Sequence, residues 1–294
     1  MHLAPWRAPA SISVMALLFA WETAHPFLDL FATGSHPWRV RLRHAATNIG
    51  IGLLNGLAIR FGFLALWVAT MQWAETRDVG LLNWVPAPAA LRLVVALFLL
   101  DSWTYAWHRL NHTVAFFWRF HRMHHSDREM DVTTANRFHV GEITLSSLAR
   151  IPVLALIGCG ADELAVYEVL LFAVVQFHHA NIGLPEWLDR VLRAMIVTPH
   201  LHKVHHSVVL VEQNANFSSL FSWWDRIAHT FRLAPDLSRM VFGVDAVAAT
   251  DPTRSSGGIL DERLVTTRPV RNGDHLLYSA YPDSASHPDR IPHA

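Results

Sequence analysis

Between Trp107 and His125 the chain reads WHRLNHTVAFFWRFHRMHH, and between His200 and His206 it reads HLHKVHH. Residues three and four apart share a face of a helix, so His108 and His112 point one way, as do His121, His124 and His125, and again His202, His205 and His206. Imidazole nitrogen ligates iron, zinc, copper and nickel alike, and these side chains exceed what one ion of roughly four- to six-fold coordination can use. Two metal ions are the economical reading. Composition is the competing explanation, because the chain holds 20 His among 294 residues, and an isolated histidine is ordinarily a surface or satisfied core group. It accounts poorly for three spaced clusters, two of them repeating H-x-x-H-H. The single cysteine, Cys159, excludes an internal disulfide and a cysteine-based zinc site.

The three clusters resemble the histidine boxes of the fatty acid hydroxylase superfamily, also called the sterol desaturase family, and the resemblance extends beyond them. DSWTYAWHRLNH (Asp101 to His112) is similar to the family's Asp-led first box. FHRMHHSDREMDVTTANRFHVGE (Phe120 to Glu142) is similar to its second box with the Arg-Phe-His and Glu that follow. HHANIGLP (His178 to Pro185) and TPHLHKVHHS (Thr198 to Ser207) resemble later segments, and Trp224 to Arg226 resembles the closing Trp-Asp-Arg. The similarity runs from roughly Trp21 to Phe231. Val140 stands where the family usually has proline, and Ala228-His229 where a Phe-Gly pair is common.

The resemblance implies a di-iron enzyme that uses O2 to hydroxylate or desaturate a C–H bond of a lipid-like substrate, whether sterol, fatty acyl, carotenoid or ether lipid. The expected ligands are His108, His112, His121, His124, His125, His202, His205 and His206, with one more from His178 and His179. Adjacent helical residues point about 100° apart, so both are not expected on one metal. The resemblance selects His179, because Asn181 follows it two residues later as in the family. His139 is expected as an extra ligand or a donor behind one, with Glu142 to orient it. Asp101, two turns before His108 and on nearly the same face, is placed as its acceptor or else makes a buried polar contact of its own. The chain carries no flavin, haem or iron–sulfur motif, so electrons are expected from an external ferredoxin or cytochrome b5-like donor.

The elements that must position these groups are apolar. Hydrophobic residues make up 52% and charged residues 16% of the sequence, with 12 Trp, as suits lipid-facing surface with interfacial aromatics. A formal net charge of zero gives nucleic-acid binding no electrostatic support. The expected fold is all-α: an integral membrane helical bundle of about four apolar segments or hairpins, capped by a cytosolic histidine-rich metal domain. Residues 11–31 form a doubtful span and the run 48–73 a crossing helix. Residues 89–107 lead straight into the first box, and 143–159 and 164–177 are short spans or a hairpin. Arg60, inside the second run, is expected to face the bundle or water. The apolar start is read as part of the domain rather than a secretory signal. Arg39, Arg41, Arg43 and the arginines of 109–137 fall on one side, which by the positive-inside rule places the boxes in the cytoplasm, with a bacterial inner membrane expected. The domain spans 1–232, and 233–294 reads as a polar tail whose His275, His287 and His293 are solvated.

Two other classes compete. A zinc-transporting or sensing membrane protein would string its ligands along a path through spanning helices, whereas most boxes here lie among Arg and Asp outside the apolar runs. A metal-dependent hydrolase would need a free carboxylate base such as Glu142 or Asp127 beside an open metal position.

Overall fold

The computed structural model describes residues 7–32 and 36–244. Among these, helices α1 (Arg7–Ala24), α2 (Pro37–Gly62), α3 (Leu64–Thr76), α4 (Leu81–Trp84), α5 (Ala89–Thr113) and α6 (Ala115–His125) form the first half. Helices α7 (Val140–Ile157), α8 (Ala161–His179), α9 (Glu186–Leu192), α10 (Pro199–His205), α11 (Leu210–Gln213) and α12 (Trp223–Ile227) follow. No strand occurs among the described residues; two isolated bridges, Ile196 to Phe221 and Ser207 to Phe242, tie the final loops together. The all-helical expectation holds.

Two helices, α5 and α7, are long and apolar enough to cross a membrane. The run expected as one helix over 48–73 is instead broken at Phe63 and bent by 46°, and its two parts together are apolar enough for a third crossing. Phe63 leaves helical geometry at φ −127°, directly after Gly62, whose backbone freedom weakens a helix interior. Arg60 lies in the last turn of α2, exposed, with its guanidinium 5.9 Å from the Phe61 ring. Outward-facing Leu53, Leu54, Leu91, Val94, Leu148 and Leu156 are exposed, as helices with lipid neighbours require.

Inside, Trp67 and Met71 of α3, Leu100 of α5, Leu154 of α7 and Tyr167 of α8 form one core cluster. Each buried side chain of this size contributes about 1.5–3 kcal/mol in water; within a bilayer, close packing takes that role. Helices α7 and α8 are joined by only three residues, and Gly158 ends α7 in the left-handed region at φ 70°. They then diverge, each packing on α5 more than on the other. The wide end of that divergence holds the histidines: α5 arrives with His108 and His112 in its last turns, α7 starts beside Glu142, and α8 finishes on His178 and His179.

Residues 233–244, read above as the start of a polar tail, pack on the domain. Ala234, Leu237, Met240 and Phe242 are buried against Leu28, Met130 and Val204. Their apolar side chains are too irregularly spaced among polar ones to register as periodicity. The expectation for residues 245–294 falls outside the described residues. His229, in the pair that replaces Phe-Gly, sits at φ 57°, a conformation that glycine adopts without strain.

Candidate metal centre

The box histidines assemble into two adjacent groups. His108, His112, His121, His125 and His205 form one, and His124, His179, His202 and His206 the other, with the ligand atoms of each group within 4.8 Å of one another. The H-x-x-H-H spacing does the sorting. In the second box the i, i+4 pair His121 and His125 joins the first group, while His124, a neighbour turned by about 100°, joins the second. The third box is the mirror case: His202 and His206 join the second group and His205 the first.

Hydrogen bonds fix the ring tautomers. The Nδ1–H of His108 donates to the Phe217 carbonyl at 2.7 Å, that of His205 to Ala215 at 2.7 Å, and that of His179 to Val175 at 2.8 Å. His121 Nδ1 donates to Glu142 Oε1 at 2.9 Å. With Nδ1 carrying the proton, each Nε2 presents a lone pair inward. Yet His108 Nε2 lies 3.2 Å from His121 Nε2 and 3.1 Å from His205 Nε2. Two acceptors so close cannot bond each other. In the second group His179 Nε2 lies 3.1 Å from His124 Nε2 and 3.0 Å from His202 Nε2. Both ring nitrogens of His112 and His125 are buried without a partner. Nitrogens held about 2.0–2.1 Å from a common ion sit about 3 Å apart across a coordination edge, so the donor set fits a metal in each group.

Protonation agrees. Burial, with repulsion from neighbouring histidines, pushes His124, His125, His202 and His206 well below their ordinary value, and burial brings His205 down to about 3. Neutral imidazole is the ligating form.

Several expected roles move. Asp101 does not touch His108: it accepts from Trp224 Nε1 at 2.7 Å, Phe221 N at 3.0 Å and the Tyr167 hydroxyl at 3.3 Å. Two turns put it on the right face but about 10 Å away along the helix axis. His139 belongs to neither group; its Nδ1 accepts from Gly141 N at 2.9 Å and caps α7. Glu142 therefore orients His121, not His139, and also accepts from Asn111 at 3.1 Å. Asn181 faces away from the histidines and clips the chain at Leu28, accepting from its N–H at 3.0 Å and donating to its carbonyl at 2.7 Å. His178 stands outside both groups, its ring centroid 3.8 Å from that of His202. Asp127 is engaged by His44 at 2.9 Å, Asn48 at 3.2 Å and Thr134 at 2.8 Å, so of the two carboxylates named for a hydrolase it is not free, whereas Glu142 is tied to His121 and Asn111 through Oε1 alone.

Other supports were not singled out from the sequence. Asp225, inside the closing Trp-Asp-Arg, accepts from the N–H groups of Phe217 and Ser218 at 2.8 and 3.0 Å, setting the loop whose carbonyl holds His108. Glu22 accepts from Val132 N at 3.0 Å, Asn181 N at 2.8 Å and Arg41 at 2.9 Å, binding α1 to the second box and to α8. Lys203 is buried between two ligating positions and donates to the Ala180 carbonyl at 2.6 Å.

A cavity of about 370 Å³ opens from the two groups between α5, α7 and α8. His108, His121, His124, His179 and His202 form its floor, and Trp67, Trp103, Trp107, Leu171 and Phe172 are among its walls.

Residues 93–230 match the fatty acid hydroxylase family. Ornithine lipid hydroxylase OlsE of Rhizobium tropici is 30% identical over 251 residues, covering 85% of this chain and 73% of that protein. The chain belongs to the fatty acid hydroxylase family. Cholesterol 25-hydroxylase of Rattus norvegicus is 25% identical over 57% of this chain and 60% of its own length. Alkylglycerol monooxygenase of Caenorhabditis elegans is 26% identical over 76% of this chain and 42% of its own. No solved structure matches. This fatty acid hydroxylase family member is thus an oxidoreductase of the membrane, with apolar helices and histidine groups to match.

Within this hydroxylase fold Lys203 predicts a pH dependence. Burial lowers its ammonium from 10.5 to about 7. Across that interval the unfolded chain binds a proton that the folded chain lacks, so stability rises with pH there and falls as pH drops toward 7. Lys203→Met removes this contribution. Melting both proteins at pH 7.5 and 9.5 should show the wild type gaining on the variant at the higher pH; parallel shifts would contradict it.

Proposed function

We infer that the two histidine groups hold two iron ions and that the protein uses O2 to hydroxylate or desaturate an unactivated C–H bond of a membrane lipid. One observation carries this: Nε2 lone pairs converge at about 3 Å in two adjacent groups at the floor of an apolar cavity. His108, His112, His121, His125 and His205 hold one ion, and His124, His179, His202 and His206 the other. Bound there, the iron pair supplies the capacity to activate dioxygen. The protein orients the imidazoles through Phe217, Ala215, Val175 and Glu142, keeps His124, His125, His202, His205 and His206 neutral by burial, and lines the approach with aromatic side chains that exclude water. The names of the relatives, acting on ornithine lipid, cholesterol and alkylglycerol, favour a polar lipid substrate.

Two electrons per turnover come from outside, from a ferredoxin or cytochrome b5-like donor. Arg41 of α2 pairs with Glu22, which also binds Val132 and Asn181, so the basic start of α2 and the histidine groups share one end of the bundle. By the positive-inside rule that end is cytoplasmic, and the short connections favour a bacterial inner membrane. Iron-loaded protein in detergent, given dithionite-reduced ferredoxin, oxygen and a bacterial lipid extract, should consume oxygen only with reductant. Mass spectrometry should find a lipid gaining one oxygen or losing two hydrogens. Oxygen-independent lipid cleavage would instead make it a hydrolase.

A further inference from the structure

Arg150 on α7 and Glu168 on α8 form an ion pair of 3.0 Å across the gap between the two diverging helices. Both line the cavity, and 21% and 23% of their side chains remain accessible. The Arg150 guanidinium also lies 4.8 Å from the centre of the Trp67 ring. Arg150 is eight residues past Glu142 on α7, and Glu168 eleven before His179 on α8, so the pair lies about 12–16 Å along the helices from the histidine floor. Arg150 lies midway along α7, one of the two helices apolar enough to cross a membrane, a position where ionisable side chains are expensive and mark ligand sites.

We propose that the Arg150–Glu168 pair is the polar-group subsite of the cavity, taking an uncharged hydrogen-bonding group of the substrate, a hydroxyl or amide, and thereby fixing which carbon reaches the histidine floor. The proposal rests on the cavity being the lipid site of the oxygenase described above. Guanidinium N–H groups and a carboxylate oxygen side by side match a group that is both donor and acceptor. An uncharged group bonds both partners and leaves the pair closed. A charged headgroup would have to displace one partner and strand the other in a medium without water. The carbon presented to the histidine floor then lies at a set distance from that polar group, along a lining that is mostly apolar, with Thr104, Ser146 and Ser147 among its polar members.

The test is equilibrium binding of tritiated 1-hexadecanol to the protein as purified, in nanodiscs under argon without reductant, with displacement by unlabelled hexadecanol, hexadecyl methyl ether or hexadecane. Wild type should prefer the alcohol over the alkane at least tenfold, with the ether, an acceptor only, between them. Arg150→Met with Glu168→Met removes both charges together, a change that buried ion pairs tolerate far better than loss of one partner. This double variant should keep its melting temperature and bind all three probes alike. Equal binding of alcohol and alkane by wild type, or a preference that survives in the double variant, would overturn the subsite. Because the assay reads binding without turnover, failure of the oxygenase reading leaves this result intact.

Discussion

Asp101→Ala lowers stability by up to about 2–6 kcal/mol, through a residue that touches no candidate ligand. Asp101 is fully buried and accepts from Trp224 Nε1 and Phe221 N, both on half-buried residues, and each donor, once stranded against the buried site, costs up to about 1–3 kcal/mol. The Tyr167 hydroxyl is spared, since Thr104 Oγ1 lies 2.6 Å from it. Loss of this anchor frees the loop from Phe217 to Trp224, and with it the carbonyl that sets the His108 tautomer. Both donors share Oδ2, so Asp101→Asn with its amide oxygen at that position keeps their acceptor and should cost less. Denaturant titration in detergent orders the variants wild type, Asn, Ala; equal stability for Ala and wild type would remove Asp101 from the framework.

The second large effect is at Glu142, whose carboxylate accepts from His121 Nδ1 and Asn111. Partners behind metal-bound histidines are worth about 10- to 100-fold in metal affinity. Glu142→Gln retains an oxygen but loses the negative charge that raises imidazole basicity, and should weaken binding about tenfold. Glu142→Ala loses the acceptor as well and should approach a hundredfold. Competition with a chelator of graded strength reads both. Unchanged affinity in Glu142→Ala would mean that His121 is held by packing alone.

These two residues show what was legible in the sequence. Spacing on helices is local, so the box histidines could be read from the chain, and the i, i+4 geometry now explains how each H-x-x-H-H divides between two groups. What lies behind the histidines is not local. Asp101 meets Phe221 and Trp224 some 120 residues away, Asn181 reaches Leu28 across 153, and no periodicity reports such partners. His139 carried the right residue type but serves as a helix cap. Apolar runs revealed α5, α7 and α8, yet hydropathy does not register the break at Phe63. Nor did it register the packing of Leu237 and Phe242 among polar neighbours. The Trp-Asp-Arg motif did carry a signal for Asp225, whose loop-setting role appears only with its partners in view.

The central claim is two metal ions per chain in histidine groups of distinct membership, and metal content tests it most directly. Wild-type protein purified in detergent, His121→Ala, His205→Ala and His202→Ala would be assayed by atomic emission. Two irons are expected in wild type. His121→Ala and His205→Ala should lose the ion of the five-histidine group and retain the other, and His202→Ala should do the converse. Well-folded wild type that binds no metal, or a single ion lost in all three variants alike, would contradict the account.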